Sequence, residues 1–173
     1  GTVKANTYVG GVIGHVDNAT ISTTYFSGDI EGINYVSGFI GKTGSNTEIT
    51  LSFAHGSVIG NDYVSGFVAQ NQATITNSYA TMNVLGNRYV SGFVAQNQGD
   101  ISHIFSSGSI DGNHYVAGLI SDQQGIIQNA YYNDTLAVKN KQLTTPKTAI
   151  YNIEDTLNVG ARTLDQMTAK FPF

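Results

Sequence analysis

The sequence predicts an all-β fold, namely a parallel β-solenoid (β-helix) of about five coils of 26–28 residues, closed by a C-terminal cap that contains a short helix. Three observations predict it. A segment of the type Tyr-Val-Ser-Gly-Phe-Val recurs five times, the repeat is short, and residues 1–145 contain no proline. A repeat of this length fits three short strands and three turns, whereas a propeller blade needs about 40 residues. Without proline, a hydrogen-bonded ladder can continue from coil to coil.

The five copies, here coils 1 to 5, align on columns of like residues. In each copy an isoleucine follows the repeat tyrosine by 12 to 14 residues, and an aromatic residue follows that isoleucine by four. Short runs of β-branched and aromatic residues between Gly, Asn and Ser are typical of strands. The columns are Tyr8, Tyr35, Tyr63, Tyr89 and Tyr115; Ile21, Ile49, Ile75, Ile101 and Ile127; Tyr25, Phe53, Tyr79, Phe105 and Tyr131; and Val3, Ile30, Val58, Val84 and Ile110.

The extra residues of the longer repeats all fall at one corner. The distance from the second aromatic column to the next repeat tyrosine is always 10 residues, so the length varies only between the tyrosine and the second aromatic column. The insertions lie in Gly14–Asn18 and Gly41–Asn46. Insertions that collect at one place indicate a surface turn, and segments of fixed length indicate stacked strands.

Polar residues also form columns. Amides stacked one coil apart can donate to one neighbour and accept from the other, so an amide column predicts a ladder along the solenoid. A glycine column next to the second amide column predicts a corner with positive φ. The columns are Asn18, Asn46, Gln72, Gln98 and Gln124; Asn6, Asn61, Asn87 and Asn113; and Gly32, Gly60, Gly86 and Gly112.

The strand that carries the tyrosines has two interpretations. Strict alternation would place Tyr35 and Phe39 on one face and Val36 and Ile40 on the other, and both sets are apolar. Either the Ser-Gly pair bends the strand and resets the alternation, or a stripe of stacked tyrosines is exposed. An exposed stripe would suit sugar rings or a partner surface.

Charge and proline divide the chain at about residue 137. Residues 1–137 hold three basic and nine acidic residues, whereas residues 138–173 hold five basic and three acidic ones and both prolines. We therefore predict a repeat region over 1–137 and a capping segment over 138–173, since solenoids need capped ends. Thr163–Gln166 fits a capping box that opens a short helix. Residues 148–159 are compatible with strand or helix, and we expect a larger parent polypeptide upstream of the first coil.

Composition excludes several classes of protein. A net charge of −4 argues against nucleic-acid binding, which needs a basic surface. No apolar run approaches 18 residues, so no membrane insertion is predicted. The chain has no cysteine, which excludes disulfides, thiolate zinc sites and thiol catalysis.

The sequence predicts no catalytic residues, no metal and no cofactor. The four histidines, at positions 15, 55, 103 and 114, lack the spacing of an HExxH zinc site. Glycan-active β-helix enzymes need clustered carboxylates. Asp29 aligns with Ser57 and Asn83 in the next coils, and no carboxylate aligns above another in adjacent coils. A glycan-active enzyme is therefore the less favoured alternative.

Segments such as NSYATMNVLGNRYVSGFVAQNQ and YFSGDIEGINYVSGFIGKTG resemble the GLUG repeat, over about residues 3–137. Phe or Val often replaces the central Leu of its Gly-Leu-x-Gly core, and Ala69, Ala95 and Ser121 replace the final Gly. The resemblance implies a bacterial surface adhesin or the non-catalytic region of an immunoglobulin A-cleaving zinc metallopeptidase.

From the repeat and this resemblance we predict a non-catalytic module of a bacterial cell-surface or secreted extracellular protein, acting as an adhesive or spacer rod. The alternative is an accessory arm that presents substrate to a metallopeptidase domain. The expected partner is a host protein or glycan surface. The candidate binding residues lie in the variable corner and the tyrosine column, namely His15, Asp17, Lys42, Tyr8, Tyr35, Tyr63, Tyr89 and Tyr115.

Overall fold

The computed structural model describes residues 1–133, 138–140, 148–151, 153, 155, 158–163 and 166. In this part of the chain, short strands follow one another with tight corners between them. The strands are β1 (Thr2–Lys4), β2 (Thr7–Gly10), β3 (Ile13–Val16), β4 (Thr20–Ser22), β5 (Tyr25–Glu31), β6 (Asn34–Ser37), β7 (Ile40–Thr43), β8 (Glu48–Thr50), β9 (Phe53–Ile59), β10 (Asp62–Ser65), β11 (Val68–Asn71), β12 (Thr74–Leu85), β13 (Arg88–Ser91), β14 (Val94–Asn97), β15 (Asp100–Ser106), β16 (Ile110–Gly112), β17 (His114–Ala117), β18 (Ile120–Gln123), β19 (Ile126–Asn133), β20 (Val138–Asn140) and β21 (Val159–Arg162).

The strands form three parallel sheets, each of which collects the corresponding strand from every coil. The first sheet has 11 strands, with the path β1-β5-β9-β12-β15-β19-β21 and with β4, β8, β16 and β20 beside it. The second sheet has the order β2-β6-β10-β13-β17, and the third has the order β3-β7-β11-β14-β18. This topology confirms the predicted parallel β-solenoid.

The register places like residues over like residues. Val36 pairs with Val64 in the second sheet, and Ile49 pairs with Ile75 in the first. Ile30 pairs with Val58, which pairs with Val84 in the next coil. The columns deduced from the spacing are therefore the rows of neighbours in the sheets.

The core is a set of apolar columns that run through the solenoid. Phe39, Phe67 and Phe93 are fully buried, and their ring centroids lie 4.6 and 4.7 Å apart. Leu119 takes the same position in coil 5. The valines of the second sheet and the isoleucines of the first pack around these rings. Because each coil buries its apolar face against the next, a coil depends on its neighbours for its core.

The described residues after 137 add a sixth turn to the solenoid. β20 pairs with β16, and β21 pairs with β19. The carbonyl of Ala149 accepts hydrogen bonds from the amides of Leu119 and Ile120, so the third sheet is extended too. Of the two alternatives for residues 148–159, the described residues show no helix: Ile150 and Ile153 form isolated β-bridges, and Val159 begins β21.

The capping box predicted at Thr163–Gln166 is present as two reciprocal hydrogen bonds. The amide of Thr163 donates to Oε1 of Gln166 at 3.0 Å, and the amide of Gln166 donates to Oγ1 of Thr163 at 3.3 Å. Gln166 is helical. The remainder of the predicted short helix lies outside the described residues.

The two interpretations of the tyrosine strand turn out to be compatible. Gly38 and Phe39 form the bend between β6 and β7, and Ser37 Oγ donates to the carbonyl of Ile40 across it at 2.6 Å. A Cβ at Gly38 would lie 2.1 Å from the carbonyl oxygen of Gly66, so glycine is required there. The repeat tyrosine nevertheless lies outside the core. The positive φ of the tyrosine itself interrupts the inward–outward alternation of side chains along the strand.

The left-handed backbone lies at positions other than the expected ones. The repeat tyrosines have φ between 51° and 56°, whereas the glycines at 32, 60, 86 and 112 do not adopt positive φ. The expectation of positive φ for that glycine column is wrong. A Cβ at Gly60 would lie 2.8 Å from a methyl group of Val64 and 3.0 Å from one of Val36 in the neighbouring coil, so glycine is needed there for space.

A second column of residues also has a left-handed backbone, and its members differ in how well they tolerate this conformation. Its members are Thr23, Leu51, Asn77, His103 and Asn129, with φ from 48° to 54°. Asn tolerates this conformation, while other side chains bring Cβ too close to the following carbonyl.

We expect Leu51→Asn to raise the free energy of unfolding by about 1 kcal/mol, because it relieves this strain. Leu51 is 57% exposed, so little packing is lost. Urea unfolding of the two proteins measures the difference. Leu85→Asn is the matched control, since Leu85 is 46% exposed and has no positive φ. An equal gain in the control would contradict the explanation.

Candidate functional site

The five repeat tyrosines form one continuous stack, here the tyrosine ladder (Tyr8, Tyr35, Tyr63, Tyr89 and Tyr115). Consecutive ring centroids lie 4.9, 4.7, 4.5 and 4.5 Å apart. The planes of neighbouring rings differ by 4° to 24°. The rings are half-buried. The ladder therefore lies on the surface and runs parallel to the solenoid axis.

Stacking decides which part of each ring a partner can reach. Because the faces of the inner rings cover each other, these rings present their edges and hydroxyl groups to solvent. Burial, followed by the neighbouring tyrosines, raises the pKa of the Tyr63 hydroxyl above its ordinary value of 10.0. The pKa of Tyr35 is raised by burial first and then by Tyr8 and Asp62. The hydroxyls of Tyr35 and Tyr63 are thus protonated at neutral pH and can both donate and accept hydrogen bonds.

A polar column lies seven residues after the tyrosines and borders the ladder. We call it the flanking column. Gln70 Nε2 donates to Gln96 Oε1 at 2.8 Å, and Gln96 Nε2 donates to Asp122 Oδ2 at 2.9 Å. At the other end, His15 pairs in register with Lys42. The column therefore begins with basic residues and ends with a carboxylate. Its members are His15, Lys42, Gln70, Gln96 and Asp122.

The structure brings several candidate binding residues together at the N-terminal end of the ladder. The Lys42 ammonium lies 5.5 Å from the centroid of the Tyr8 ring, and the His15 ring lies 6.4 Å from it. Asp17 is exposed and sits over Gly44 of the next coil, where a Cβ would meet its carboxylate at 2.1 Å. His15, Lys42 and Tyr8 form one cluster, and Asp17 lies on the turn that follows it. Their role in binding stays a prediction.

The predicted amide ladders are present in part. Gln72 Nε2 donates to Gln98 Oε1 at 3.0 Å, and Gln98 Nε2 donates to Gln124 Oε1 at 3.2 Å. In the second amide column, Asn113 Nδ2 donates to Asn87 Oδ1 at 2.8 Å. These hydrogen bonds connect adjacent coils at the surface.

A buried amide ladder lies beside the exposed one, and sequence reasoning missed it. Thr43 Oγ1 donates to Asn71 Oδ1 at 2.8 Å, and Asn71 Nδ2 donates to Asn97 Oδ1 at 2.8 Å. Asn97 Nδ2 then donates to Gln123 Oε1 at 3.1 Å. The signal was that each of its four members lies eight residues after a repeat tyrosine, from coil 2 to coil 5. Asn71 and Asn97 are fully buried, so this ladder supports the corner from inside.

The second aromatic column also forms a stack, on the first sheet. The ring centroids of Tyr25, Phe53, Tyr79 and Phe105 lie 5.1, 4.9 and 4.8 Å apart. Burial raises the pKa of the Tyr79 hydroxyl. The next member, Tyr131, is buried and carries the Arg162 guanidinium 4.7 Å from its ring centroid. We call these residues the second aromatic ladder.

The ionisable side chains of the described residues are dispersed. Ser57 Oγ donates to Asp29, and Glu31 pairs with Lys4 at the surface. His55 Nδ1 lies 2.9 Å from Thr81 Oγ1. Among the described residues, no group of three His, Asp or Glu side chains could hold a metal ion. Nor does this part of the chain contain a helix long and apolar enough to cross a membrane.

Comparison with known proteins agrees with the geometry of the coils. Residues 5–31 match the family model described as the GLUG motif. No curated protein and no solved structure matches the chain. The matched residues run from the corner before the Tyr8 strand to the end of β5, which is one full coil. Since the other coils repeat this one in register, the chain is a repeat module whose first coil carries the GLUG motif.

Proposed function

We propose that this chain is a non-catalytic module of a bacterial cell-surface protein and serves as an adhesive or spacer rod. The observation that carries the proposal is the in-register stacking of the coils. Three parallel sheets, the amide ladders and the ring stacks all connect each coil to the next along one axis. Each further coil adds about 4.8 Å, so six turns give a core about 29 Å long.

Stiffness follows from the direction of these connections. Bending the solenoid would open one side of every sheet, and it would separate stacked rings and amides at the same time. Buried amide chains such as Asn71 to Asn97 would then lose partners without access to water, which is costly. A module of this type holds its ends at a fixed distance, which is what a spacer needs.

The surface that we propose for adhesion comprises the tyrosine ladder and the flanking column. It offers tyrosyl edges, hydroxyls and amide groups in a straight row along the rod. Tyrosine is enriched at the energetically dominant positions of interfaces because it combines a large apolar area with a polar tip. A host protein or an extended glycan could contact several coils at once.

Screening immobilised host extracellular proteins and glycans against the purified chain tests the adhesive role. We expect Tyr63→Asn to weaken binding by tenfold or more, since loss of a central interface tyrosine costs about 2 kcal/mol. Asn suits the left-handed backbone of this position. Tyr79→Asn is the matched control, because Tyr79 is also a half-buried inner member of an aromatic stack but lies on a different sheet.

Two results would contradict the proposal. An equal loss of binding in the Tyr63 and Tyr79 variants would show that the ladder is not the contact surface. Turnover of any glycan in the same screen would overturn the non-catalytic role.

A further inference from the structure

The C-terminal end of the tyrosine ladder opens into a cavity of 320 Å³, here the terminal pocket. Its walls include Tyr89 and Tyr115 of the ladder, Asp122 at the end of the flanking column, and Ile150 and Tyr151 of the sixth turn. The pocket therefore forms where the regular repeat ends. Its volume is in the range of small-molecule sites, roughly 300 Å³ and above.

Two of its walls are aromatic rings at nearly a right angle. The Tyr151 ring meets the Tyr115 ring at 77°, with the centroids 5.2 Å apart. Tyr151 therefore does not continue the parallel stack but turns across it. A cation over the face of an aromatic ring is attracted by the ring quadrupole, and several such rings around one ammonium group form an aromatic cage.

The pocket also carries a fixed negative charge. Gln96 Nε2 and Gln124 Nε2 both donate to the Asp122 carboxylate, at 2.9 and 3.1 Å from Oδ2. These bonds hold the carboxylate in place, and a carboxylate with about four acceptor sites can take further donors. Arg88 lies over the Tyr89 ring at 5.7 Å but does not line the pocket, and the His114 ring lies 6.4 Å from Tyr115.

We propose that the terminal pocket binds a small organic ammonium group, held by the rings of Tyr115 and Tyr151 and by the Asp122 carboxylate. The chain already places cations against tyrosine rings, with Lys42 over Tyr8 and Arg162 over Tyr131. The terminal pocket adds a carboxylate, that of Asp122, to the same kind of ring. This inference does not depend on the adhesive role, because a pocket that fails to bind leaves the ladder surface unchanged.

Titration of the isotope-labelled 173-residue chain with choline, followed by NMR, tests the proposal. We expect saturable shifts at residues 115, 122 and 151, with a millimolar Kd. The neutral isostere 3,3-dimethyl-1-butanol has the same shape without the charge, and methyl β-glucoside represents a neutral sugar. Both should leave these signals in place at the same concentrations.

Variants separate the contributions of charge and ring. Asp122→Asn should weaken choline binding about tenfold, whereas Asp100→Asn, which removes the same charge at an exposed position on another sheet, should not. Tyr151→Leu should weaken it by about fivefold or more, and Tyr151→Phe should retain it because the ring carries the interaction.

Several outcomes would overturn the proposal. The absence of saturable choline shifts would do so, as would equal binding of the neutral isostere, which indicates a merely apolar cavity. Binding of methyl β-glucoside in place of choline would assign the pocket to sugars. Loss of choline binding in Tyr151→Phe would also contradict the cage, even if Asp122→Asn proved unstable.

Discussion

Phe67→Ala is expected to lower the free energy of unfolding by about 3–5 kcal/mol, the range for truncation of a buried phenylalanine. Phe67 is fully buried and stacks between Phe39 and Phe93 at 4.6 and 4.7 Å. Its removal leaves a cavity in the middle of the column and takes a stacking partner from both neighbouring coils. Since small domains have only about 5–15 kcal/mol in total, the variant should be close to unfolding.

Urea unfolding followed by circular dichroism measures this loss. Phe67→Leu is the matched control, because coil 5 has Leu119 at the same position. The control should lose clearly less than the alanine variant. If the alanine variant lost no more than about 1 kcal/mol, the column would not be the continuous core described here.

Asn97→Ala should have the second-largest effect, about 3 kcal/mol or more, because several buried polar groups lose their partner at once. Asn97 is fully buried and accepts from Asn71 Nδ2 and from the amide of Gly99, at 2.8 and 3.2 Å. It also donates to the carbonyl of Gly99 and to Gln123 Oε1. Alanine can replace none of these bonds, and water cannot reach Asn71 or the Gly99 backbone when they lose their partner.

The adjacent exposed ladder supplies the control for this prediction. Gln98→Ala removes an amide that links the same coils, but Gln98 is exposed and its partners can bond to water instead. We expect a loss below about 1 kcal/mol for this variant, by the same unfolding assay. Comparable losses at the two positions would contradict the distinction between a buried and an exposed ladder.

The coil register could be predicted from the sequence because spacing alone determines it. Constant intervals along the chain place Ile49 over Ile75 and Val58 over Val84, and both pairs are neighbours in the first sheet. Such a prediction needs no side-chain geometry. It rests on the fact that a stacked repeat must put equivalent positions at the same place in each coil.

Backbone conformation could not be read from residue type. Glycine at position 60 suggested positive φ, but steric contact with Val64 is what requires it, and the left-handed residue is Tyr63. Tyrosine carries no intrinsic preference for that region. The stack explains it, because positive φ keeps each ring outside the core and aligned with its neighbours. This stabilisation is tertiary and has no local signal.

The candidate binding surface, formed by the tyrosine ladder and the flanking column, could be predicted only in part from the sequence for a similar reason. The tyrosine column could be recognised from its spacing. Whether the Ser-Gly pair bends the strand or the tyrosines form an exposed stripe could not be decided, because both depend on where the strand bends. The residue type in the flanking column changes from His and Lys to Gln and Asp along the coils, so the column cannot be recognised by a repeated residue. The terminal pocket depends on Tyr151, which lies beyond the repeat and reaches the ladder only through the sixth turn.

Disulfide cross-linking tests most directly whether the coils stack in register. The chain has no cysteine, so any cross-link must come from the introduced pair. Ser57 pairs with Asn83, whereas Thr81 pairs with His55, two positions away. Neighbouring strands lie about 4.8 Å apart, within the range for a disulfide, and an offset of two residues raises the Cα distance to about 8 Å, beyond it. Under mild oxidation, mass spectrometry should show a cross-link in the Ser57→Cys/Asn83→Cys variant and none in the Ser57→Cys/Thr81→Cys variant. Equal cross-linking of both pairs, or a cross-link only in the offset pair, would contradict the in-register solenoid.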